Sequence, residues 1–293
     1  MSPFHIVTDS GARLTHSRTP QQVSVTVVPN RVEIGGRSDR EGVDLSHEEA
    51  LRLIGQSGTV TLTAPSMAEF ATVYAHLASS SDGILSIHAS RELSQSWQHA
   101  REAAAQLGDA CPIDVVDSRS ICAGQGMLVR LAVETASHVD SFDQLVKTVR
   151  GAVDRTYSVY CVETLDYLRR NRYMEESRAI LGTLLGIRPF VSIEDGALSV
   201  IEKVRTRAQA IERLVEFLVE FDQLDDAVIV QSRSGMNEQV RALQDRLAIE
   251  FPDQHFPFVT YGAALASLVG PDALGVVVLE AVSHPHEDDL DED

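Results

Sequence analysis

Hydroxyl side chains stand at two places where a strand hands over to a helix, a placement suited to binding an anion. In Gly83–Ala100, GILSIHASRELSQSWQHA, the apolar Ile84, Leu85 and Ile87 read as a short buried strand. After His88 and Ala89 a polar run leads into a helix that begins near Ser94, with Ser90, Ser94 and Ser96 as hydroxyl donors. The stretch Thr59–Ser66, TVTLTAPS, repeats the design and leaves Thr63 at its mouth, because Ser66 and Glu69 form a capping box for the helix that follows. In open α/β sheets ligands bind outside the carboxyl ends of the strands, and the free N–H groups of a helix start favour negative charge. These residues are therefore placed to hold a carboxylate or a phosphate. The competing role for the serines is to cap their helices.

Other residues offer different chemistry. Asp9 and Ser10 follow the strand His5-Ile6-Val7, either as a site-facing pair or as an Asx or Ser turn. Ser94, His88 and Asp117 are the residue types of a serine hydrolase, and acyl hydrolysis at Ser94 is a second functional class, but no GxSxG elbow accompanies them. Gly124-Gln125-Gly126 is a fragment of a nucleotide fingerprint without its remainder, better explained by close helix packing.

The elements that must position these groups alternate along the chain. Val23–Val28 is an apolar run stopped by Pro29, Ser46 and Glu49 cap a short helix, and Phe70, Val73, Tyr74 and Leu77 mark one helical face. Ile113–Val116 reads as a strand, Gly124-Gln125-Gly126 opens a helix, Ser141 caps another helix, and a new strand runs over Tyr157–Val162. Further on come a helix about Ile180–Leu185, a hairpin turning at Asp195-Gly196, a long helix after Arg207, and strands at Ala227–Val230, Phe258-Val259 and Val276–Leu279. The fold class is α/β. The 293 residues divide into an N-terminal α/β domain over 1–155, a C-terminal α/β domain over 156–283, and an acidic disordered tail over 284–293, where six of the last seven residues are acids.

The net charge of −18 argues against nucleic acid or an anionic membrane as partner. No apolar run approaches the roughly 20 residues of a membrane span, and the start of the chain lacks the pattern of a signal peptide. Cys111, Cys122 and Cys161 are odd in number and far apart, which suggests a reducing cytoplasm and neither a disulfide framework nor a zinc site. No cofactor or metal is expected.

Taken together, Thr8-Asp9-Ser10, Thr63-Ala64-Pro65-Ser66, Leu93-Ser94-Gln95-Ser96 with Ala100, Val116-Asp117-Ser118, Thr164–Leu168 with Arg172, Asp195-Gly196, Arg205-Thr206 and Gly270-Pro271 with Ala273-Leu274-Gly275 resemble the DegV family. Its members are similar to the fatty-acid-binding subunit of bacterial fatty acid kinase. The resemblance implies two α/β domains, a lipid tunnel, and a carboxylate site near the domain junction. It implies a non-enzymatic carrier of a long-chain fatty acid, with Thr63 and Ser94 holding the carboxylate. It also implies Arg172 and Arg205 beside it, where a kinase subunit would dock.

Departures from the family pattern bear on that role. Leu268 stands where the family has a histidine before its Gly-Pro-Gly segment, so weak or absent phosphorylation by a kinase partner is expected. A regulatory or interaction protein that keeps the fold without kinase coupling is the alternative this substitution favours. Gln95 and Asn171 replace glycines, and Leu62 and Ala64 replace polar residues beside Thr63.

Overall fold

The computed structural model describes residues 3–14, 23–108, 111–171, 173 and 187–282. The expected helix about Ile180–Leu185 and the acidic tail lie outside the described residues, as does Arg172. The first sheet has the order β2-β1-β6-β7, built from β1 (Phe4–Asp9), β2 (Val25–Val28), β6 (Gly83–His88) and β7 (Ile113–Asp117), all parallel. Parallel strands are covered on both faces, which explains why β1 and β6 read as near-continuous apolar runs and why every residue of β6 is buried.

A second sheet of six strands takes over in the C-terminal half, in the order β10-β9-β8-β13-β11-β12. Its members are β8 (Thr156–Cys161), β9 (Arg188–Glu194), β10 (Ala197–Val204), β11 (Leu224–Gln231), β12 (Phe258–Thr260) and β13 (Leu274–Glu280). Only β11 and β12 pair in parallel. A small third sheet, β4-β3-β5, joins β3 (Arg31–Ile34), β4 (Arg37–Arg40) and β5 (Thr61–Thr63). Thr63 therefore ends a strand of this annex and not of the main sheet.

Nine helices are seen among the described residues: α1 (His47–Ser57), α2 (Met67–Ala78), α3 (Ser96–Leu107), α4 (Ala123–Ala136), α5 (Phe142–Val153), α6 (Asp166–Arg170), α7 (Arg207–Val219), α8 (Glu238–Glu250) and α9 (Ala263–Val269). The capping box expected at Ser66 forms, a further one forms at Thr206, and the Ser46 and Ser141 side chains cap α1 and α5. None of these helices is long and apolar enough to cross a membrane.

Helix α4 holds the two halves together. It packs against β1 and β6 of the first sheet and β8, β11 and β13 of the second, so it is apolar on nearly every side. Gly126 makes this possible, because a Cβ there would lie 2.0 Å from the carbonyl oxygen of Arg13. Close packing, not nucleotide binding, explains the GxG. One cluster of buried residues runs from Ile6 and Leu85 through Leu128 to Val228 and Leu279, continuous across both halves.

Candidate functional site

A pocket of about 380 Å³ opens where the halves meet. The N-terminal half supplies Thr63 and its neighbours and the turn Arg91–Gln95, while the C-terminal half supplies Asn171, Tyr173, Ala264 and Ser267. Thr63 and Ser94, singled out in the sequence for their position before a helix, line this one pocket.

Local bonds fix both. Thr63 pairs with Arg31 in the annex, and the segment after it is tied down by the 2.8 Å contact between the His99 ring and the Pro65 carbonyl and by the Ser66–Glu69 capping box. The turn that carries Ser94 is organised by Ser90, whose carbonyl accepts from the N–H groups of Leu93 and Ser94, both at 2.9 Å. The Ser90 hydroxyl donates to the Gly196 carbonyl at 2.7 Å, anchoring the turn to the β9–β10 hairpin. Ser94 is not the start of the helix: α3 begins at Ser96, and the residue before it, Gln95, makes no side-chain cap bond. The Ser94 hydroxyl lies 2.9 Å from Ser96 Oγ and accepts from the Ser96 N–H at 3.2 Å.

From the other half, the Tyr173 hydroxyl donates to the Leu93 carbonyl at 2.6 Å, and the Asn171 amide donates to the Ser267 carbonyl, also at 2.6 Å. The Tyr173 bond closes the pocket across the junction, while the Asn171 bond ties together its C-terminal wall. Gln95 and Asn171 have φ of −83° and −90°, so neither needs a glycine's backbone freedom.

The two arginines fare differently. Arg172 lies outside the described residues. Arg205 is exposed between β10 and α7, where its N–H donates to Gln209 Oε1 at 3.0 Å, and it does not line the pocket. Among the described residues, the arginine that lines it is Arg91, whose guanidinium lies 3.6 Å from Asp117 and 5.8 Å from the centre of the Trp97 ring. Sequence reading passed over Arg91, Tyr173 and Ser267. Arg91 had a signal, since it sits inside the same polar turn as Ser94. Leu268 is buried in the core at 2% exposure, one residue from Ser267.

A buried polar chain runs from α2 through β6 to β1. The Tyr74 hydroxyl donates to Ser86 at 2.7 Å, Ser86 Oγ lies 2.7 Å from His88 Nε2, and His88 Nδ1 lies 2.9 Å from Asp9 Oδ2. Burial works to raise the Asp9 pKa, but bonds from His88, the Gly11 N–H and Gln125 prevail and hold it below the usual carboxylate range. Asp9 is thus both the Asx turn and part of a buried network. His88 is spoken for by Asp9 and Ser86, and Asp117 accepts from the N–H groups of Arg91 and Arg119, so the hydrolase set of Ser94, His88 and Asp117 is not assembled.

A second buried carboxyl, Glu41, bridges the halves. It accepts from Ser10 at 2.8 Å, Asn30 at 3.1 Å and the Ala264 N–H at the start of α9 at 3.1 Å. Burial pushes its pKa up against those bonds. The neighbouring His47 is pushed down to about 4 by burial and by Arg13, so its 3.8 Å contact with Glu41 is not an ion pair at neutral pH. No group of three or more side chains suited to a metal ion occurs among the described residues. What the pocket offers chemically is hydrogen bonds and a nearby cation for an anionic head group.

Comparison with known proteins agrees in fold. A family model described as "Uncharacterised protein, DegV family" matches residues 3–281. A DegV domain-containing protein of Streptomyces coelicolor is 34% identical over 277 residues, covering 93% of this chain and 97% of its own. A DegV family protein of Thermus thermophilus, whose structure concerns fatty acid binding, superposes with a TM-score of 0.82 at 25% identity, covering 95% of this chain and 99% of its own. The fatty acid kinase B3 protein of Streptococcus pneumoniae, loaded with linoleic acid, superposes with a TM-score of 0.83 at 17% identity and the same coverage.

Proposed function

The chain belongs to the DegV family, and on that premise we propose that it is a non-catalytic carrier that binds one long-chain fatty acid and presents its carboxylate at the junction pocket. The observation that carries this reading is that Thr63 and Ser94 line one pocket between the halves. Thr63 and Ser94 donate to the carboxylate, Asn171 and Tyr173 shape the opening, and Arg91 offsets the charge. The chain of the lipid runs from there into the apolar interior between the sheets. Burying a CH₂ is worth about 0.8 kcal/mol, so roughly 16 carbons contribute on the order of 12 kcal/mol before ordering costs. The head group then needs only enough bonds to avoid a buried unpaired charge, which two hydroxyls and a nearby guanidinium supply.

A fatty acid kinase subunit is the partner proposed to meet that carboxylate, with Arg172 and Arg205 as its docking residues; the fold shared with the Streptococcus pneumoniae protein supports this. Leu268 lies beside Ser267 as an apolar side chain where a proton donor would serve phosphoryl transfer, so coupling to the kinase is slow. Three free, buried cysteines fit a cytoplasmic setting. Titration with a fluorescent long-chain fatty acid tests the reading. Saturable binding at one site per chain in the micromolar range or tighter is expected, and failure to bind any chain length would overturn it.

A further inference from the structure

A larger cavity, about 770 Å³, lies wholly in the C-terminal half and plays no part in the site above. Four arginines from four elements converge on it: Arg188 from β9, Arg207 at the start of α7, Arg233 from the loop after β11, and Arg241 from α8. This convergence is unexpected in a chain of net charge −18. Among the described residues, only Arg188 has its charge met, by an ion pair with Glu163. Arg207, Arg233 and Arg241 have no ion pair among the described residues, although Glu238 and Asp272 also line the cavity.

The loop that presents Arg233 is built, not loose. Gln231 is buried at 1% exposure and donates to the Gly235 carbonyl at 2.7 Å, while Asn237 donates to Gln231 Oε1 at 2.6 Å and accepts from the Val240 N–H at 2.9 Å. Thr260 donates to the Arg233 carbonyl at 3.0 Å, which fixes that backbone against β12. The cavity also lies where a strand, β11, meets the helix that follows it in a parallel β11–α8–β12 unit, the usual place for a ligand in α/β sheets.

We infer that this cavity is a second ligand site, specific for a small molecule bearing a diphosphate group. Guanidinium groups bind phosphate oxygens through paired hydrogen bonds, and three unpaired ones spread around one space match a multiply charged anion better than a single carboxylate. The volume falls within the range of pockets that take whole small molecules, so a nucleoside diphosphate fits as well as the diphosphate alone. This inference stands apart from the lipid reading, since none of its arginines lines the junction pocket.

The test is calorimetric titration of the full chain at fixed ionic strength with inorganic pyrophosphate, ADP and, as control, sulfate. Saturable pyrophosphate binding at one site is expected, weakened at least tenfold in Arg233→Gln/Arg241→Gln, with sulfate much weaker. ADP binding tighter than pyrophosphate would assign the site to a nucleotide, and equal binding to the diphosphate group alone; either supports the site. A matching melting temperature in the variant shows that it is folded. No pyrophosphate binding, binding unchanged in the variant, or sulfate binding as tight as pyrophosphate would overturn the inference.

Discussion

Removing the two hydroxyls at the junction pocket, by Thr63→Val and Ser94→Ala, separates head-group recognition from folding. Thr63 is exposed and makes no side-chain hydrogen bond among the described residues, and valine suits a strand, so its loss costs stability less than about 0.5 kcal/mol. Ser94 gives up its contacts with Ser96, at 2.9 and 3.2 Å, which costs roughly 0.5–1.5 kcal/mol. Binding should suffer more. A hydrogen bond to a charged group is worth about 1.5–3 kcal/mol, and two donors on one carboxylate are coupled, so their joint loss is set near the lower end of the sum, about 3 kcal/mol. That is on the order of a hundredfold in affinity. The assay is displacement of a fluorescent fatty acid, run beside a thermal melt and with the fatty acid methyl ester as a ligand that lacks the charge. The double variant should bind the acid about a hundredfold more weakly and the ester as the natural protein does. Acid affinity within twofold of the natural protein, in a folded variant, would refute the assignment of both hydroxyls.

Three further outcomes follow from named contacts. ATP-dependent acyl-phosphate formation with a bacterial fatty acid kinase should be slow with the natural protein and rise on the order of 10²-fold in Leu268→His, since one preorganised donor is worth about that much; vigorous turnover by the natural protein, unimproved by the histidine, contradicts this. Tyr173→Phe removes the 2.6 Å bond to Leu93 that joins the halves, so fatty acid dissociation should speed up by a few fold with the melt nearly unchanged; an unaltered off-rate counts against that strap. Glu41 has its folded pKa raised by burial, so what it contributes to stability is present below its ordinary pKa of 4.5 and lost as pH rises through the folded value. The unfolding free energy of the natural protein relative to Glu41→Gln should therefore fall as pH is raised above 4.5 in denaturant titrations, and a difference that stays flat or grows would exclude it.

Local features were the legible ones. Ile84, Leu85 and Ile87 announced β6, Ser66 with Glu69 announced α2, and the hydroxyl positions at the two strand ends pointed to the residues that line the junction pocket. The β3–β4 hairpin escaped because its strands, RVEI and RSDR, are charged and half exposed, and its only signal was Gly35-Gly36, both at positive φ in the turn. Contacts made across the fold had no local trace. Glu41 reaches Ala264 over 223 residues and Asp9 reaches His88 over 79, and nothing in their spacing distinguishes such partners from solvated side chains. Arg205, carried over from family likeness, stands exposed between β10 and α7 and is not among the residues that line the pocket.

The central claim, one fatty acid held by its carboxylate at the junction, is tested most directly by native mass spectrometry of gently purified protein. A species heavier than the bare chain by one long-chain fatty acid is expected, with that acid recovered on organic extraction and lost from the Thr63→Val/Ser94→Ala variant. A bare-chain mass with no extractable lipid, unchanged after incubation with saturated and unsaturated fatty acids, would contradict it.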